Sequence, residues 1–144
     1  MITTSGKLVY GDGYKYVVRE PWSAQTPIVN AAARIVDSEG HLLAQLDQSG
    51  LLTIHAGYAW DGPSGPTVDT PDSMRGSLAH DALYQMMRSG HLGDEWRELS
   101  DELLRDLCLQ DGMGELRAAA WFAGVRAFAG FAAERQPETR KEAP

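Results

Sequence analysis

Three short blocks of this chain hold side chains able to move a proton or grip a cation. The central block is Ser77-Leu78-Ala79-His80-Asp81-Ala82-Leu83-Tyr84. On a helix His80 and Tyr84, spaced i and i+4, share a face, whereas Asp81 points about 100° away around the axis. One helical turn thus sends an imidazole and a carboxylate toward different partners. Histidine is the side chain best suited to proton transfer near neutral pH, and an adjacent carboxylate suits a hard cation such as calcium. Downstream, Asp101 lies within Leu99-Ser100-Asp101-Glu102-Leu103-Leu104-Arg105-Asp106-Leu107, beside the helix face carrying Leu104 and Cys108. Packed against the His80 helix, this carboxylate is placed to hydrogen-bond the second nitrogen of His80, fixing its tautomer and stabilising the imidazolium. The pattern reads as a His/Asp dyad without a serine nucleophile.

A calcium ion takes roughly six to eight oxygen ligands, so Asp81 alone cannot hold one. The segment Tyr58-Ala59-Trp60-Asp61-Gly62-Pro63-Ser64-Gly65-Pro66 can supply the remainder. Its glycines and prolines keep the backbone out of regular pairing, which leaves carbonyls such as those of Gly62 and Gly65 free to converge, and Asp61 adds a carboxylate. Plainer readings stand beside this one. His80 also fits a partly buried histidine bonded to a backbone carbonyl, Asp81 and Asp101 fit helix-surface or capping roles, and Asp61-Gly62 fits a tight turn. His41, His55 and His91 lack ligand spacing with one another or with His80, which argues against zinc.

The elements that must position these groups follow from periodicity. Four β-prone runs, at 14–19, 32–36, 41–46 and 51–55, are separated by turn chemistry; Asp37-Ser38-Glu39-Gly40 and Asp47-Gln48-Ser49-Gly50 are hairpin-length loops ending in glycine. A Gly/Pro-rich loop follows, and then the spacing turns helical. The first helix starts near Thr70 or Ser73 and stops at Gly90; the second spans about 94–110 and stops at Gly112; the third, about 114–133, carries Trp121, Phe122, Val125, Phe128 and Phe131. The predicted class is α+β: an N-terminal antiparallel β-meander followed by a three-helix C-terminal part. A single domain is expected over 1–133, divided into a meander at 1–56, a loop at 57–72 and helices at 73–133, with a loose charged tail at 134–144.

The chain has 144 residues, 43% of them apolar and 23% charged, a balance that supports one sizeable core. A net charge of −7 gives no long-range attraction for nucleic acid or an anionic membrane, so no nucleic-acid partner is expected. The lone Cys108 can form no internal disulfide, and Met1 to Gly6 lack the basic segment and apolar run of an export signal. Both point to the cytoplasm. The apolar stretch 118–133 is short for a membrane span and holds Arg126 in its middle, where a charge is costly in lipid, so no transmembrane segment is expected.

The blocks Gly57-Tyr58-Ala59-Trp60-Asp61-Gly62-Pro63-Ser64-Gly65-Pro66, His80-Asp81-Ala82-Leu83-Tyr84 and Ser100-Asp101-Glu102-Leu103-Leu104 resemble a family of short phage and prophage proteins with no assigned function. That family reads Gly-Phe-x-Thr-Asp-Gly-x-Ser-x-Pro, His-Asp-x-Leu-Tyr and Ala-Asp-x-x-Phe, and the likeness covers about 51–128. In the same order the blocks are also similar to the phospholipase A2 core, most closely the disulfide-free form in parvovirus capsid proteins. That resemblance implies a phospholipase A2-like helical part, with His80 as general base, Asp81 and the loop as calcium ligands, Asp101 as the group orienting His80, and Tyr84 supporting the dyad. The loop departs from the pattern by placing Asp61 before the glycines and Ser64 between them, and Leu104 replaces the aromatic residue of the last block.

Two functions follow as expectations from the resemblance. One is a calcium-dependent hydrolase of an ester or lipid, in the cytoplasm of a bacterial host. The other is a non-catalytic virion component of tail, neck or baseplate that keeps the scaffold and binds phage structural proteins.

Overall fold

The computed structural model describes residues 1–12, 16–62 and 70–128. Strands come first and helices after, as expected for an α+β chain. The strands β1 (Tyr10–Gly11), β2 (Tyr16–Val18), β3 (Trp22–Gln25), β4 (Ala33–Val36), β5 (Leu42–Leu46), β6 (Leu51–Ile54) and β7 (Ala59–Trp60) precede helices α1 (Pro71–Arg88), α2 (Arg97–Gln110) and α3 (Glu115–Phe128). A short 3-10 turn at Asp94–Trp96 leads into α2. Among the described residues no helix is long and apolar enough to cross a membrane.

All the strands pair antiparallel, but they form two sheets: four strands in the order β3-β6-β5-β4 and three in the order β1-β2-β7. The two predicted hairpins are present. Asp37 Oδ1 accepts from the amides of Glu39 and His41, and Asp47 Oδ1 from those of Ser49 and Leu51, while Gly40 and Gly50 take φ of 84° and 90°. These aspartates satisfy the turn donors, and the glycines accept a conformation closed to most residues. The outer edge of β3 is closed by the N-terminal segment: Ser5 N donates to Ser23 O and Gln25 N to Thr3 O.

Three strands lie outside the expected runs. In β3 only Trp22 and Ala24 are buried, and Ser-Ala-Gln has little β-propensity of its own; pairing with β6 decides its state. Strand β7 falls inside the expected loop of 57–72, drawn into the small sheet by the pairing of Trp60 opposite Tyr16. Strand β1 pairs with β2, and its Tyr10 ring meets Trp60 of β7.

Helix α1 is central. Residues 73–74, 76–80, 82–84 and 86–87 are buried, so it is covered nearly all round, by the core of Val18, Trp22, Ile28, Leu46, Leu52 and Ile54 and by α2. Its start and stop are those expected. Thr70 is the extended N-cap residue, Pro71 occupies the first turn, and the helix closes at Ser89 and Gly90, where φ is 76°. Helix α2 ends before Gly112, with φ of 101°. The distal part of the expected third helix and the tail at 134–144 lie outside the described residues.

Gly76 sets the distance between α1 and α2. A Cβ there would stand 2.9 Å from the carbonyl oxygen of Leu104 and 3.0 Å from Cys108 Sγ. Backbone cannot yield as a flexible side chain does, so any larger residue must part the helices. Gly76→Ala should therefore destabilise the protein by about 1–3 kcal/mol, the usual cost of overpacking. Urea unfolding checks this, and a gain in stability would contradict the close approach.

Candidate active site

Gly76, His80 and Tyr84 recur every four residues along the face of α1 turned to α2. Gly76 meets Leu104 and Cys108, and this contact brings Asp101, one turn before Leu104, level with the two ring side chains. His80 Nε2 lies 2.7 Å from Asp101 Oδ1, and the Tyr84 hydroxyl donates to the same oxygen at 2.5 Å. The His80 and Tyr84 rings stack at 4.1 Å between centroids. Asp101 is wholly buried and His80 nearly so.

The second carboxylate oxygen is also occupied. Arg126 reaches in from α3 and donates from Nη1 to Asp101 Oδ2 at 3.0 Å. The sequence marks Arg126 only as a charge interrupting an apolar helix. Its spacing from Asp101 carries no local signal, and a pairing between separate helices is visible only in three dimensions. A buried carboxylate with three donors, one of them cationic, has the compensation that an ion needs away from water.

The opposite nitrogen of His80 faces the other stripe of α1. Ser77, Asp81 and Gln85 are also spaced by four. Ser77 Oγ accepts from Trp60 Nε1 at 3.2 Å, and Gln85 Oε1 accepts from the Tyr58 hydroxyl at 3.0 Å. Asp81, midway between them, therefore faces the 58–60 segment that leads into Asp61 and Gly62. His80 Nδ1 is 4.0 Å from Asp81 Oδ1, near enough for charge attraction and too far for a hydrogen bond. Asp81 is partly open to solvent, at 29% of its side chain. His80 thus separates a dry side at Asp101 from a wetter side at Asp81.

Asp61 is exposed and Gly62 is buried with φ of 80°, while Gly65 lies outside the described residues. Among the described residues no three His, Cys, Asp or Glu side chains converge on a point. His41 pairs instead with Asp37, and His91 Nδ1 meets the Arg34 carbonyl. Ser77 is tied up by Trp60 Nε1 and by donation to Met74 O, so it is no free nucleophile. Cys108 is buried, which pushes its thiol up to about 12 and leaves it inert.

No protein-family model, curated protein or solved structure matches this chain. The reading of the site accordingly rests on its chemistry.

Burial opposes charge on His80, but the hydrogen bond to Asp101 and the carboxylates of Asp101 and Asp81 more than offset it, so its pKa lies above the usual 6.5. Burial likewise opposes charge on Asp101, and donation from His80, Tyr84 and Arg126 outweighs that, holding its pKa below 3.8. Burial and the Asp101 hydrogen bond push the Tyr84 hydroxyl well up, so it stays a donor. The signs fix a window. The His80 contribution to stability is complete below pH about 6.5 and is lost as pH rises through the raised folded value; the Asp101 contribution is present above pH about 3.8 and is lost as pH falls through the depressed one. An NMR titration should place the His80 midpoint above 6.5; a midpoint below it would contradict this balance.

Asp101→Asn puts an amide NH₂ where Arg126 or the two ring donors need an acceptor. Loss of one partner from a buried ion pair costs about 3–5 kcal/mol. Chemical denaturation should show a loss of that order, and a change under about 0.5 kcal/mol, the size typical of surface substitutions, would refute the network.

Proposed function

We propose that the protein is a phage- or prophage-type hydrolase in which His80 activates water to cleave an ester, with Asp101 and Tyr84 holding His80. The observation that carries this reading is the His80–Asp101 bond of 2.7 Å on Nε2, which leaves Nδ1 directed toward the partly open Asp81 side. Nδ1 is then the acceptor: it takes a proton from water, the oxygen attacks the ester carbonyl, and a tetrahedral oxyanion forms. The imidazolium gives that proton to the departing alkoxide as the ester C–O bond breaks, which restores neutral His80. Asp101 stabilises the imidazolium between the two transfers without taking its proton.

The donors implied for calcium are all oxygens, namely the carboxylates of Asp81 and Asp61 and the carbonyls of Gly62 and Gly65, which suits a hard cation. The orientation of Asp81 toward the 58–60 segment supports that set. Bound there, a cation would polarise the ester carbonyl and stabilise the oxyanion. The phospholipase A2 resemblance makes an ester or lipid the substrate class, while the lone Cys108 and the phage likeness make the bacterial cytoplasm, or the virion, the location. A second reading, a non-catalytic tail, neck or baseplate part binding other phage structural proteins, is favoured by one observation: Asp101, bonded from both α1 and α3, also serves as a lock between helices.

His80→Ala leaves Asp101 with Tyr84 and Arg126, so it should fold and lose ester hydrolysis. Equal hydrolysis of a p-nitrophenyl ester by both proteins would end the mechanism. Because neutral His80 is the base, wild-type activity should rise with pH above 6.5; a profile flat from pH 6 to 9 would contradict it. Calcium calorimetry on wild type and Asp81→Asn separates the two readings: heat of binding lost in the variant supports the hydrolase, and no binding to wild type favours the structural part.

A further inference from the structure

We propose that Arg126 is a positioning residue of the dyad, holding Asp101 in the orientation that presents Oδ1 to His80. This inference rests on the hydrolytic reading above and adds a third helix to the site. Oδ1 of Asp101 receives both His80 Nε2 and the Tyr84 hydroxyl, and Oδ2 receives Arg126 Nη1 at 3.0 Å. Turning the carboxylate about Cβ–Cγ already costs the two bonds on Oδ1, and a guanidinium on the other oxygen adds a charge-assisted bond that the same rotation must break. It also supplies positive charge beside a wholly buried anion, where His80 and Tyr84 donate as neutral groups whenever His80 is the base.

Arg126 touches no reacting atom, since His80 Nδ1 points away from Asp101. Nor is it needed merely to dock α3. That helix has its own apolar seam, with Ala118, Trp121 and Val125 packed on Leu104, Cys108 and Met113, and Arg117 donates to Thr70 Oγ1. The Arg126 side chain is 31% exposed while its bonded nitrogen reaches a carboxylate that is 0% exposed, so it passes from the surface to the dyad. Its role is to keep the dyad aligned when α3 is in place.

The test compares Arg126→Met, which keeps an apolar stem, with Arg126→Lys, which keeps the charge. Arg105→Gln, which removes the stacking of Arg105 on Phe122 at 4.7 Å, is the control for lost α2–α3 contact. Arg126→Met should lower kcat roughly 10–100-fold with KM unchanged, the usual cost of losing a group that orients a ligand or base. Arg126→Lys should recover part of that loss. The His80 Nε2 proton should be sharp and downfield in the wild-type NMR spectrum, broaden or vanish in Arg126→Met, and persist in Arg126→Lys and Arg105→Gln. If Arg126→Met keeps both kcat and the sharp proton while only its melting temperature falls, the proposal is overturned. If wild type hydrolyses no ester, the hydrolytic reading fails and the proton resonance alone decides: its loss in Arg126→Met upholds the positioning role, its persistence refutes it. Should Arg126→Met not fold, Arg126→Gln gives the same comparison with a neutral donor.

Discussion

The helical half of this protein is organised around one buried carboxylate. Asp101 of α2 takes two donors from α1 and one from α3, so three helices meet at a single charged group excluded from water. An ion in that position is costly unless donors and an opposite charge meet it, and the cost makes the arrangement specific: moving any of the three helices strands a charge or a donor. The functional reading depends on the same constraint. A histidine bonded on Nε2 to an ionised, immobile carboxylate has its second nitrogen committed to whatever lies on the other side.

That other side is set by the sheets. The stripe of Ser77, Asp81 and Gln85 is pinned at its ends by Trp60 and Tyr58, and those residues come from the strand segment leading into the glycine-rich loop. Trp60 is itself held by its pairing with Tyr16 and by ring contacts to Tyr10 and Tyr16. The small sheet thus holds the 58–60 segment against the stripe of α1 that carries Asp81, while the larger sheet buries the opposite side of α1. Gly76 closes the system, since only a residue without Cβ lets α2 approach far enough for Asp101 to reach His80.

What could be read in the sequence was whatever local chemistry decides. The turn aspartates at 37 and 47, the cap at Thr70 and the stops at Gly90 and Gly112 each act within a few residues, and each stands where the pattern places it. The His80, Tyr84 and Asp101 group was legible for a related reason: helical spacing puts the first two on one face, and a carboxylate at the margin of an apolar stripe must turn toward a partner. Strands β1, β3 and β7 were not legible, because each is only two to four residues long with a single aromatic β-former, and β3 and β7 find their partners far away in sequence. Nor was the role of Arg126, whose partner depends on how α3 lies on α2. A charge inside an apolar helix signals only that some partner exists.

The most direct test of the account is the tautomer of His80, read from long-range ¹⁵N–¹H correlations of its imidazole at a pH where the ring is neutral. A proton on Nε2, with Nδ1 bare, is the result predicted for a ring held by Asp101 and free to accept a proton on the Asp81 side. A proton on Nδ1, or rapid exchange between the two nitrogens, would contradict it.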